Sequence, residues 1–238
     1  MDRVAPTRRP DRAADGEQRW RNLLFLHWAF PVEAVRPLVP AALELDLYDG
    51  TLYVGVVPFV MEQVRPTWLP RFASFDFLET NVRTYVTHRG EPGVYFLSLE
   101  AASSLACMAA RATFGLPYFW ARMRRVERDG VVDYETERRL GGPARSAFRY
   151  RPGPELGPSE VGSLQHFLVE RYLLFVEKGG AIHRGQVHHP PYPVRGATVL
   201  SVEDGLLGRA GLPPPTTPPA LAHYSDGVDV EVFGLEVR

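Results

Sequence analysis

The chain has 238 residues, 45% of them apolar, and a formal charge of −1. That is enough apolar content for one large core, and the charge balance excludes the broad basic field that nonspecific nucleic-acid binding needs. The 21 glycines and 22 prolines exclude an all-helical bundle and point to many short strands and turns.

In chain order, residues 1–19 carry Arg, Asp, Pro and Ala without apolar periodicity and read as a disordered N-terminal tail, leaving 20–238 as a single domain. No apolar stretch of signal-peptide type follows the early arginines, and the first apolar run, Leu23 to Phe30, is too short to span a bilayer. A cytoplasmic protein without a membrane partner is expected. Trp20 to Phe30 reads as a buried strand carrying His27, which either faces a pocket or is satisfied by a neighbouring backbone group. A short proline-bounded helix follows over Pro31 to Val39. Leu43 to Tyr48 and Thr51 to Met61 then read as a hairpin turned by Asp49-Gly50. Arg65 to Ser74, with Trp68 and Phe72, reads as an aromatic loop, either a lid over a cavity mouth or a plug closing one end.

The central stretch runs from Phe77 to Met123: strand, strand, helix, strand. Along Phe77 to Val86, alternation puts Glu79, Asn81, Arg83 and Tyr85 on one face and Leu78, Val82 and Val86 on the other. An acid, an amide, a guanidinium and a phenol can satisfy one another if buried, whereas a solvated strand would present lysine and serine. The polar face therefore reads as a cavity-facing network, against the alternative of a wet strand face. Glu79 is the candidate general base, Arg83 the carboxylate clamp, Asn81 a bridge and Tyr85 a hydrogen-bond donor. Val94 to Leu99 reads as a strand buried on both sides, beside the first. Ala101 to Phe114, closed by Gly115 and Pro117, reads as a helix of small residues lying close to the sheet. Arg111 near its end either complements the helix dipole or forms an anion site with Tyr118. The sole cysteine, Cys107, excludes an intrachain disulfide and reads as an inert core thiol.

Phe119 to Val126 and Val131 to Arg138 form a hairpin across Asp129-Gly130, and Gly141 to Ser159 reads as a connection with a short strand. Ser163 caps a short helix leading to Glu170-Arg171-Tyr172, whose adjacent charges suggest a structural ion pair. A hairpin with its tip at Lys178-Gly179-Gly180, a stiff Pro-rich connection and a closing C-terminal strand complete the chain. The neighbours His188 and His189 point apart in an extended chain, and no histidine falls in a metal-binding spacing, so neither a metal nor another cofactor is expected.

The segments Glu79-Thr80-Asn81-Val82-Arg83-Thr84-Tyr85-Val86, Gly93 to Ala101 and Ala110 to Tyr118, with His27-Trp28, Glu170-Arg171-Tyr172, His188-His189-Pro190 and His223-Tyr224, resemble the uncharacterised YqjF-like family and, more remotely, acetoacetate decarboxylase. The resemblance implies a β-rich α+β fold: a barrel-like antiparallel sheet with a few short helices and an internal cavity. In the decarboxylase, the positions matching Tyr118 and Phe119 are two lysines, the first forming a Schiff base with the keto acid. A phenol forms no imine, and the only lysine of this chain, Lys178, sits at a hairpin tip. The early arginine of the decarboxylase falls at Ala29.

Three functions compete on these residues. One is an enzyme acting on a small oxo acid or other carboxylate by acid-base chemistry without a Schiff-base lysine, with Glu79 and Tyr118 catalytic and Asn81, Arg83, Tyr85, Arg111 and His27 binding substrate. The second is a non-catalytic sensor or carrier using the same cavity, and the third a structural protein whose polar strand is exposed. The expected partners are a small-molecule ligand, a carboxylate among the candidates, and a further copy of the chain in a homo-oligomer.

Overall fold

The computed structural model describes residues 1–140, 142 and 144–237. Its strands are β1 (Gly16–Phe30), β2 (Glu44–Leu45), β3 (Leu52–Pro66), β4 (Phe75–His88), β5 (Glu91–Ala101), β6 (Tyr118–Arg128), β7 (Val131–Arg138), β8 (Ala144–Gly157), β9 (Leu173–Lys178), β10 (Ala181–His188), β11 (Val194–Glu203) and β12 (Leu221–Val237). The helices are α1 (Val32–Val35), α2 (Ser104–Phe114), α3 (Leu164–Val169) and α4 (Leu206–Arg209). The β-rich α+β architecture expected from the sequence is present.

One twelve-stranded sheet closes on itself twice. The order β4-β5-β6-β7-β8-β11-β12-β1-β3 returns to β4, and a smaller ring runs β5-β9-β10-β12-β1-β3-β4 and back to β5. The two barrel-like rings share the wall β12-β1-β3-β4-β5. Successive side chains of a shared strand therefore enter opposite interiors. In β1, Leu24, Leu26 and Trp28 join one buried apolar cluster while Leu23 and Phe25 join the other. In β4, Val82 and Val86 go to the first and Tyr85 to the second. The C-terminal strand closes both rings through its pairings with β1, β10 and β11.

Several local expectations change. The sheet is not wholly antiparallel: β5 pairs in parallel with β6 and with β9, and α2 is the crossover that a parallel neighbour requires. That helix begins at Ser103, whose hydroxyl accepts from the Ala106 amide, and ends at Gly115 in the left-handed conformation. Its inner face is made of small residues, Ala106, Cys107 and Ala110, with Phe114, while Leu105 and Met108 point outward. The turn at Asp49-Gly50 is real, with Tyr48 and Thr51 bridged, but β2 pairs with β4 and not with β3. Residues read as a connection form the long strand β8, whose Pro152 and Pro154 fall where its register against β11 slips. Gly141 and Pro143, part of that expected connection, lie outside the described residues. The aromatic loop closes nothing: Trp68 and Phe72 are 80% and 92% exposed.

The residues read as a disordered tail lie against the body. Arg3 donates two hydrogen bonds of 2.7 Å to Asp46, Arg9 pairs with Glu231, and β1 already begins at Gly16. Ionic contacts, which apolar periodicity does not register, hold this segment.

On the larger ring's interior, Glu100 and Arg138 form an ion pair with side chains 0% and 3% exposed. Arg138 Nε donates to Glu100 at 3.0 Å, its Nη2 donates to the Ser98 hydroxyl at 2.6 Å, and the guanidinium lies 3.9 Å from the Phe119 ring centre. Removing one partner strands a buried charge. Arg138→Met is expected to destabilise the fold by about 3–5 kcal/mol in urea unfolding, and Glu100→Gln in the same chain to recover part of the loss. An unfolding midpoint unchanged by Arg138→Met would show that the pair carries no such weight.

Candidate functional site

The polar row predicted on β4 is buried: Glu79, Asn81, Arg83 and Tyr85 are 3%, 5%, 8% and 0% exposed. The even-numbered residues of the strand turn to the larger ring, where the Thr80 hydroxyl meets that of Thr136 at 2.9 Å. Cross-strand register sets the neighbours of the odd row. Glu79 lies between Phe59 and Ala101, Asn81 between Val57 and Leu99, and Arg83 between Gly55 and Phe96.

The row divides into two groups. At one end Tyr118, the first residue of β6, donates its hydroxyl to Glu79 Oε2 at 2.7 Å. Burial pushes the Glu79 carboxyl up to about 8, the Tyr118 bond pulls it back and the charge of Glu100 adds to the rise. Tyr118 is itself raised well above an ordinary phenol by burial and by Glu79. Near pH 7 this is a neutral carboxylic acid bonded to a neutral phenol. Cys107 is buried nearby with its thiol pushed up to about 11, first by burial and then by Glu79, which keeps it an unreactive thiol.

At the other end, Arg83 Nη2 and the Tyr85 hydroxyl both donate to the Leu168 carbonyl, at 3.0 and 2.7 Å. That carbonyl belongs to the last turn of α3, where the helix dipole favours cations. His27 Nε2 lies 2.7 Å from the Tyr85 hydroxyl. Burial holds His27 well below the usual histidine range, helped by the charge of Arg83. The partner of His27 is thus a side-chain hydroxyl and not the backbone group expected as one alternative. Arg83 has no carboxylate partner among the described residues, and its guanidinium carbon lies 5.5 Å from the Phe25 ring centre.

Arg111 does not join either group. It is exposed on the last turn of α2, with its guanidinium carbon 6.0 Å from the Phe119 ring centre. This is the dipole-complementing position, and the anion site shared with Tyr118 is not formed. Lys178 lies at the exposed β9–β10 tip, where its amine donates to the Thr113 carbonyl at 3.0 Å.

Other members of the cluster were not singled out as site residues from sequence. Arg171 pairs with Asp46 at 3.0 Å rather than with its neighbour Glu170, and its guanidinium carbon lies 4.9 Å from the Tyr85 ring centre. Glu170 instead accepts the Tyr172 hydroxyl at 2.7 Å and the Tyr192 amide at 2.9 Å. A space of about 10 Å³ beside Arg3, His166, Glu170 and Arg171 has room for one water. His189 stacks on Tyr172 at 4.4 Å, and burial pushes its imidazole down to about 4. The Glu170-Arg171-Tyr172 and His188-His189 runs were visible, but their partners come from segments remote in sequence. No group of three His, Cys, Asp or Glu able to hold a metal occurs among the described residues, and no described helix is long and apolar enough to cross a membrane.

The fold is that of the acetoacetate decarboxylase-like proteins. The chain is similar to the acetoacetate decarboxylase of Legionella pneumophila, with a TM-score of 0.63 and 12% identity over 100% of this chain and 96% of that one. It is similar also to the enduracididine biosynthesis enzyme MppR complexed with the condensation product of pyruvate and imidazole 4-carboxaldehyde, with a TM-score of 0.62 and 11% identity over 94% and 90% of the two chains. By sequence the chain belongs to the DUF2071 family, described as an uncharacterized conserved protein, whose model matches residues 17–229. It is 35% identical over 227 residues to the uncharacterized protein YqjF of Bacillus subtilis (strain 168), covering 95% of this chain and 93% of that one.

The raised Glu79 carboxyl has a consequence for stability. A glutamate free in the unfolded chain titrates near 4.5 and this one near 8 when folded, so between those values the native state binds more protons than the unfolded state. Its contribution is fully present below pH 4.5 and is lost as pH rises to 8, a fall on the order of 5 kcal/mol. Glu79→Gln is expected to abolish that slope in urea unfolding measured from pH 4.5 to 9. Tyr118→Phe, which removes the bond holding the value down, should leave the onset of the decline in place and extend it to higher pH. Parallel profiles for wild type and Glu79→Gln would contradict a neutral Glu79.

Proposed function

We propose that this chain is an enzyme acting on a small oxo acid or other carboxylate by proton transfer, without an imine. The observation that carries this reading is the pairing on one buried strand face of a neutral acid, Glu79 hydrogen-bonded to Tyr118, with a cation, Arg83, that has no carboxylate partner among the described residues. A catalytic acid or base is most effective when it titrates near the working pH, which burial gives Glu79 here. In the proposed site Arg83 anchors the substrate carboxylate, Glu79 moves a proton at the carbon next to the carbonyl, and Tyr118 keeps the acid oriented. Asn81 and His27 line the interval between them, in a cavity that is part of this proposal. MppR, on the same fold, is complexed with a condensation product of pyruvate, which makes small oxo acids the first compounds to test. The same reading places the protein in the cytoplasm with a small-molecule ligand and with neither a nucleic-acid nor a membrane partner.

A sensor or carrier is the second reading. It is favoured by the internal bonds that Arg83 and Tyr85 already make to Leu168, which hold them ready for binding without chemistry.

Exchange of the pyruvate methyl hydrogens in D2O, followed by proton NMR, separates the two. The enzyme reading expects accelerated exchange that rises with pH toward about 8, where the base form of Glu79 appears, and that drops by about a hundredfold or more in Glu79→Gln. Pyruvate bound without exchange would establish the carrier instead. Borohydride treatment with pyruvate should trap nothing, and an adduct on Lys178 would overturn the exclusion of an imine.

A further inference from the structure

Arg83 and three other side chains carry polar atoms that are buried without a partner among the described residues: Arg83 Nε, Asn81 Oδ1, His27 Nδ1 and His189 Nε2. All four residues are at least nine-tenths buried, His27 and His189 at 0% and 2% exposure. They belong to one packed cluster. His27 and Arg83 face each other across Gly55 of β3, where an added Cβ would come within 3.1 Å of the His27 ring and 3.6 Å of Arg83 Cγ. Arg83 lies 5.5 Å from the Phe25 ring centre, Phe25 lies 5.4 Å from Tyr192, and Tyr192 lies 4.6 Å from His189.

The protons on the two histidines follow from their bonds. The one hydroxyl hydrogen of Tyr85 goes to the Leu168 carbonyl, so the 2.7 Å contact to His27 is donated by Nε2–H. The lone pair of the neutral ring is then on Nδ1, the orphaned atom. In His189 the Nδ1–H donates to the Pro190 carbonyl at 2.8 Å, which leaves the lone pair on the orphaned Nε2. Asn81 contributes an amide oxygen, also an acceptor. The cluster thus offers one cationic donor and three acceptors with nothing to accept from. Leaving such groups unpaired is costly, and a ligand that pairs them recovers that cost.

We propose that the ligand of this site is a carboxylate bearing a hydroxyl group, its carboxylate on Arg83 and its hydroxyl hydrogen donated to the acceptor set of Asn81, His27 and His189. An ammonium group would also donate, but it would sit beside the Arg83 cation in a low-dielectric interior, where like charges repel strongly. An oxo acid reaches the same acceptors only as its enol, whose oxygen carries the required hydrogen. The inference rests on the reading of Arg83 as a carboxylate anchor, and it adds His189 to the ligand-contacting residues.

Three carboxylates of one skeleton test it: lactate, pyruvate and propionate, titrated into the full chain by isothermal calorimetry at pH 7. Lactate is expected to bind about tenfold or more tightly than propionate, because a site built to pair a hydroxyl rejects the analogue that lacks it. Arg83→Met should abolish binding of all three. His189→Phe should cut the lactate advantage over propionate at least threefold. Equal affinities for lactate and propionate, with binding still dependent on Arg83, would overturn the hydroxyl inference alone. Absence of any carboxylate binding that Arg83→Met removes would overturn the anchor itself and the inference with it.

Discussion

The arrangement depends on one strand, β4, standing between two interiors. Because each successive side chain of β4 crosses to the other side of the shared wall, the strand carries a polar row into one ring and a largely apolar row into the other. The polar row is buried, so each member must find a partner on that side of the wall or stay unpaired. The partner for two of them is the carbonyl end of α3, where Leu168 accepts from both Arg83 and Tyr85. A helix terminus supplies only a partial negative charge. It holds the arginine in place without neutralising it, which an aspartate in the same position would do.

The two buried glutamates show how side-chain parity decides chemistry. Glu100 is paired across strands with Thr80 and faces the larger ring, where Arg138 and Ser98 surround it. Glu79 is paired with Ala101 one position further along and faces the opposite way, toward Tyr118. Burial raises both carboxyls, but at Glu100 the guanidinium opposes the rise most strongly, whereas at Glu79 only a phenol does. One acid is committed to an ion pair, and the other is left to exchange its proton in the neutral range.

Much of this could be read from the chain because it is local. The period-two pattern of Phe77 to Val86 identified the polar row, and the β6–β7 turn at Asp129-Gly130 and the Ser163 cap appear where expected. What could not be read depends on pairings far apart in sequence. That Arg171 chooses Asp46 over adjacent Glu170 requires knowing that residues 125 apart meet. The direction of Arg111 depends on how α2 lies over β6, with Ala106, Cys107 and Ala110 turned inward and Arg111 exposed.

The N-terminal segment extends the same logic to the edge of the cluster. Its composition of Arg, Asp and Pro lacks the apolar surface that drives ordering, yet Arg3 and Arg171 both bond to the carboxylate of Asp46, and both guanidinium groups lie over Phe167, at 4.8 and 4.2 Å from the ring centre. Arg171 in turn packs on Tyr85, and Tyr85 holds His27. A chain of contacts therefore runs from the third residue through one shared carboxylate to the Tyr85 end of the polar row. Since Asp46 is only 5% exposed, the attraction that holds Arg3 there is less screened than that of a surface pair. The segment that composition marks as free is tied down at the point where it adjoins the proposed site, and its anchorage and the orientation of Tyr85 rest on the same charge.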